Sequence, residues 1–146
     1  MTNNNHSPAE KQASHNLQVA LDLAEQGYHV FPCRSRKMPK GDAKSPVVYW
    51  RNASTIDHAQ IQKWWSQFED AAVGLELSKS NLLVIDCDRH DIEADGVVAF
   101  GELMDANGFD PDTCPIVGTP NNGTHYYFKQ PEGKTTALQR VICPME

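Results

Sequence analysis

The sequence predicts an α+β fold, a mainly antiparallel sheet with helices packed on its faces. Three observations point to it. Two segments carry apolar residues at the i, i+3, i+4, i+7 spacing of an amphipathic helix. Segments with helix and strand character follow one another as helix, strand, helix, strand, strand, helix, strand, strand. The last two strand-like runs flank Pro120-Asn121-Asn122-Gly123, a strong turn signal.

Residues 1–10 read as a flexible N-terminus and 11–146 as one domain. A helix-start signal closes the flexible part: Ser7 as N-cap, Pro8 at the first helical position and Glu10 completing a capping box. Leu17, Ala20, Leu21 and Ala24 form the apolar stripe of this helix, and Gly27 suits a left-handed end. Tyr28 to Cys33 reads as a short strand stopping near Pro32. Residues 34–53 read as a long loop, a kind that is often functional. A second helix follows, capped by Ser54 or Thr55, with Asp57 favouring its positive end. Its stripe is Ile61, Trp64, Trp65 and Phe68. That spacing assigns both tryptophans to the core rather than to a base-stacking platform. Ala72–Leu77 and Leu82–Asp86 read as strands joined in a hairpin by Ser78-Lys79-Ser80-Asn81. Gly96–Asn107 reads as a helix closed by Gly108. Ile116–Thr119 and His125–Lys129 read as the final strand pair.

Composition narrows the class. At 40% hydrophobic and 22% charged residues, the chain is an ordinary soluble globular protein. No apolar run approaches the roughly 20 residues that cross a bilayer. The polar N-terminus lacks a signal-peptide pattern, so the expected location is cytoplasmic, with no membrane partner. Cysteines 33, 87, 114 and 143 form no C-x-x-C pair, which argues against a zinc ribbon or knuckle. Cys33 and Cys87 are expected to be buried thiols. The net charge of −6 argues against coating nucleic acid by bulk attraction. Yet Arg34, Arg36, Lys37, Lys40 and Lys44 hold five of the 13 basic side chains, while acids cluster around 86–95. A basic loop together with an acidic site suits a polyanion that meets metal ions. A solvated surface loop is the alternative.

The acidic site is Leu82-Leu83-Val84-Ile85-Asp86-Cys87-Asp88. In a strand, residues i and i+2 share a face, so the two carboxylates point the same way and repel. A hard divalent cation removes that repulsion. Two solvated aspartates at a strand end are the alternative. Asp91-Ile92-Glu93-Ala94-Asp95-Gly96 with Glu102 nearly matches a calcium-binding EF-hand loop, but the segment before it is a strand rather than a helix. A haloacid-dehalogenase-type phosphatase also places D-x-D after an apolar strand, but continues differently from Arg89-His90. A sugar-nucleotide transferase with a D-x-D clamp would need a longer chain.

A second informative segment, Thr119 to Phe128, delivers His125 from a turn onto an aromatic strand. With D-x-D upstream, the chain resembles the archaeo-eukaryotic primase superfamily. More closely, it is similar to the N-terminal catalytic domain of bifunctional DNA primase-polymerases of phages, plasmids and prophages. The features occur in order: Gly27, Val30-Phe31-Pro32, Lys44-x-Pro46 with Trp50, Ala53 to Asp57 leading to Trp64-Trp65, Val73-Gly74-Leu75, Asp86-x-Asp88, then Thr119-Pro120 and Gly123-x-His125.

The resemblance implies an RRM-like core and template-directed nucleotidyl transfer in DNA replication. Asp86 and Asp88 would hold Mg²⁺ or Mn²⁺ and be catalytic. His125 would be catalytic and contact a nucleotide phosphate. Lys44, Arg34, Lys37 and Gly123 would join in binding nucleotide or phosphate. Implied partners are nucleoside triphosphates, a DNA template and primer, and a C-terminal helicase domain or replication partner. Two departures stand out. Asn121-Asn122-Gly123 replaces a Ser-Gly-Gly type turn, and the third acidic residue, expected soon after Gln139-Arg140-Val141-Ile142, is missing before Glu146. The expectation is therefore an incomplete catalytic domain. The alternatives are a non-catalytic remnant that binds nucleotide or single-stranded DNA and, as a lesser one, a D-x-D phosphohydrolase.

Overall fold

The computed structural model describes residues 8–89, 95–131 and 133. The expected Ser7 cap and the segment after Gln139 lie outside the described residues. The chain divides into two compact units that meet in sequence between Ser80 and Asn81. The α+β class is borne out, with all strand pairs among the described residues antiparallel. No helix among the described residues is long and apolar enough to cross a membrane.

The first unit holds α1 (Pro8–Glu25), β1 (Val30–Cys33), a short α2 (Trp50–Ala53), α3 (His58–Gln67) and β2 (Ala72–Leu75). β1 and β2 pair with Val30 opposite Leu75 and Cys33 opposite Ala72. α1 and α3 pack on this ribbon and on each other. Ala20 and Ala24 of α1 are buried, as are Phe31, Ile61, Trp64, Trp65, Val73 and Leu75. Gly27 takes the expected left-handed conformation, φ 86°, and its N–H donates to Ala24 O at 2.9 Å. The carbonyl of Ala71 ties three segments together. It accepts from Asn16 Nδ2 on α1 and from Trp65 Nε1 on α3, each at 3.1 Å. A Cβ at Gly74 would lie 2.6 Å from the Phe31 ring, so only glycine lets the strand approach that ring.

Two expectations for this unit change. The α3 cap is Asp57, whose Oδ1 accepts from Ala59 N at 3.0 Å. Thr55 sits one step back, its hydroxyl accepting from Asp57 N, and Ser54 is buried with its Oγ bonded to Lys79 Nζ at 2.9 Å. Residues 34–53 are also more ordered than a plain loop. Arg34 N donates to Ser45 O, Lys44 N to Arg34 O and Val47 N to Pro32 O, so the segment returns along β1 before α2.

The second unit holds β3 (Leu82–Cys87), α4 (Gly96–Ala106), a 3₁₀ turn (Pro111–Thr113), β4 (Ile116–Gly118) and β5 (Thr124–Lys129). The sheet order is β3-β5-β4. The hairpin between Ala72–Leu77 and Leu82–Asp86 does not form: β2 pairs with β1, and β3 with β5. The turn after β2 is tied to the first unit instead. The Glu76 carboxylate accepts from Lys79 N, and Ser80 Oγ accepts from His29 N at 2.9 Å. The predicted β4–β5 pair forms as expected. Cys87, Met104 and Tyr126 make the core of this unit, with Ile85, Val97, Phe100 and Phe128 against them. One face of the sheet therefore packs on α4. Strand alternation turns Val84, Asp86, His125 and Tyr127 to the other face.

Candidate functional site

The β3–β5 register places Asp86 directly opposite His125. His125 Nε2 lies 3.2 Å from Asp86 Oδ1, and the two side chains are 12% and 22% exposed. Tyr127, two residues on and so on the same face, stands edge-on to the imidazole with ring centroids 6.3 Å apart. His125 Nδ1 is buried and makes no hydrogen bond among the described residues. A buried polar atom in that state carries a desolvation cost that a partner would remove.

The turn that delivers His125 is built by Thr119. Its N–H donates to Gly123 O at 2.9 Å, and its Oγ1 accepts from Gly123 N at 3.0 Å. Asn122 adopts φ 59°, a left-handed conformation that asparagine tolerates. A Cβ on Gly123 would lie 2.8 Å from Cys87 O and 3.5 Å from Asp88 Cα. The turn therefore rests against the backbone of the D-x-D segment, and glycine permits the contact. A second glycine does the same: Gly96 N donates to Asp88 O at 2.9 Å, and a Cβ there would sit 2.8 Å from that oxygen. Gly96 and Thr119 are positioning residues that the motifs alone do not assign. A glycine opening a helix just after the acids was the available signal.

Cys87, between the two aspartates, faces the α4 core. Burial, then the Asp86 and Asp88 carboxylates, push its thiol pKa up. It remains a protonated core thiol, which leaves oxygen donors at this strand end. Asp95 is engaged elsewhere. It caps α4 by accepting from Val97 N and Val98 N at 3.0 Å, and it pairs with Arg89 at 3.0 Å. Helix from Gly96 onward replaces the loop that an EF-hand would require, so that reading is excluded.

Asp86, Asp88, Gly123 and His125 thus come together in the second unit. Arg34, Lys37 and Lys44 belong to the first. Arg34 Nη1 donates to Lys40 O at 2.7 Å, and Gly41 lies so close that a Cβ would be 2.7 Å from Arg34 Nε. Arg34 therefore closes the basic loop. Lys37 and Lys44 are exposed on it, Lys44 with φ 69°.

Among the described residues no group of three or more His, Cys, Asp or Glu could hold a metal ion. Two carboxylates nonetheless suit Mg²⁺ or Mn²⁺, hard ions that complete their shells with water and substrate phosphate. In that chemical sense the donor set fits.

Fold and site define an α+β domain with a carboxylate–imidazole pair on an antiparallel sheet. Residues 20–142 match the sequence model of the bifunctional DNA primase/polymerase N-terminal family, and the chain belongs to that family. It is a primase/polymerase-type domain. No curated protein and no solved structure matches the chain.

Proposed function

We propose that this chain is part of an enzyme that performs template-directed nucleotidyl transfer in DNA priming and replication. Family membership supports the reading. The observation that carries it is the register that sets His125 against Asp86, 3.2 Å apart. In this reading Asp86 and Asp88 hold Mg²⁺ or Mn²⁺. The ions would activate the primer 3′-oxygen and stabilise charge on the triphosphate. His125 binds a nucleotide phosphate. Asp86 on one side and Tyr127 beside it hold the ring in place, which lowers the entropy cost of engaging the ligand. The unpartnered Nδ1 supports a role toward a ligand. Gly123 contributes by close approach, since its N–H already donates to Thr119. Lys37 and Lys44 contact triphosphate or template phosphates, with Arg34 shaping their loop. The setting is a cytoplasmic, prophage-type replication protein acting with a helicase domain or replication partner.

Calorimetric titration of Mn²⁺ and a nucleoside triphosphate, with and without primed template, tests this. Triphosphate binding is expected to require the metal and to weaken about 10- to 100-fold in His125→Ala. Incorporation on template supports the enzyme. Binding without incorporation points to a non-catalytic nucleotide-binding module. Binding indifferent to both metal and His125 contradicts the proposal.

A further inference from the structure

Trp64 and Trp65 are buried and offer no face to a nucleic-acid base. Tyr49 does: the residue is 68% exposed. A single exposed tyrosine is common on a protein surface. Its setting is what distinguishes it. Segment 34–51 contains Arg34, Arg36, Lys37, Lys40, Lys44 and Arg51 against one acid, Asp42, in a chain whose net charge is −6. All these cations except the half-buried Arg34 are exposed.

The segment is also held in shape. Arg34 closes the loop onto Lys40 and Lys44, and Val47 N bonds to Pro32 O at 3.0 Å. Tyr49 O accepts from Asn52 N and Ala53 N, each at 3.1 Å. The next residue, Trp50, stacks on buried Phe31 with centroids 5.6 Å apart and 22° between planes. The Arg51 guanidinium lies 4.7 Å over the Trp50 ring. Tyr49 is thus an aromatic ring in water on a backbone anchored to the core. It lies at most about 18 Å along the chain from Lys44.

We infer that segment 34–51 is a contact surface for single-stranded DNA, in which Tyr49 stacks on a base and the exposed cations follow the phosphates. The choice of nucleic acid as occupant rests on the proposed function. The physical basis is the pairing of a basic track with an aromatic face, the combination that binds single strands without reading sequence. An acidic protein or an anionic lipid surface would use both cations and ring, but neither distinguishes an intact strand from an abasic one, which base stacking does.

Fluorescence anisotropy of the full chain with labelled oligothymidylate, and with an abasic strand of equal length, tests it. Tyr49→Ala is expected to weaken oligothymidylate binding about 5- to 100-fold and to leave abasic binding unchanged, while Tyr49→Phe keeps wild-type affinity. Lys37→Ala with Lys40→Ala should weaken both strands and lower the salt slope by about 0.7 for each phosphate no longer neutralised. Equal wild-type affinity for the two strands, or no effect of Tyr49→Ala, overturns the inference. Primer extension run in parallel separates the two ideas. Tyr49-dependent binding without extension upholds this surface against the proposed chemistry, and extension with Tyr49-independent binding does the reverse.

Discussion

Asp86 and His125 meet because two glycines allow backbone to pass where a side chain would block it. Gly123 lets the Thr119–Gly123 turn lie on Cys87 and Asp88, and Gly96 lets α4 start against Asp88 O. Gly123→Ala would drive a Cβ to 2.8 Å from a backbone oxygen that cannot swing away. The expected loss is about 1–3 kcal/mol in urea unfolding, together with weaker triphosphate binding as the turn shifts. Gly118→Ala is the control: nothing lies within 4 Å of its Cβ, so stability should not fall. At this scale the site was legible in part. The D-x-D spacing and the histidine after a turn could be picked out along the chain, because strand alternation and turn chemistry are local. The pairing of Asp86 with His125 joins residues 39 positions apart, and nothing in the local pattern specifies that register. The role of Asp95 was hidden for a related reason. A carboxylate before a helix serves equally as cap or ligand until its neighbours are known.

Among the elements, α3 and α4 show what periodicity can and cannot reveal. The Ile61-Trp64-Trp65 stripe is core as its spacing predicts. The donation from Trp65 Nε1 to Ala71 O is a tertiary contact with no periodic signature. Trp65→Phe keeps most of the apolar surface and removes that bond, so unfolding free energy should fall by about 0.5–1.5 kcal/mol, more if the smaller ring leaves a cavity. In α4, Gly101 has open space around its Cβ. Gly101→Ala should stabilise the domain by about 0.5–1 kcal/mol, because alanine loses less backbone entropy in a helix. Thermal or urea unfolding of the two variants checks both signs. The hairpin expected between β2 and β3 failed for a physical reason. Short sequence separation favours pairing, but β2 is committed to β1, and Glu76, Ser80 and His29 fasten the intervening turn to the first unit.

Across the whole molecule, charge is segregated by segment. The basic track 34–51 belongs to the first unit, while Asp86 and Asp88 belong to the second. Overall net charge, −6, conceals this and would by itself argue against a nucleic-acid partner. Fold class was readable from element order, since helix and strand periodicities differ. The division into two units was not, because it depends on which strands choose which partners. The ordered motifs that suggested a primase-polymerase span both units, and the family match covers the same stretch. The central claim is that the acids at the end of β3 carry the chemistry. Mn²⁺-dependent primer extension by wild type and Asp86→Asn tests it most directly, with circular dichroism confirming that the variant folds. Extension is expected to fall by on the order of 10²-fold or more in the variant. A folded Asp86→Asn protein that extends primers at the wild-type rate would contradict the account.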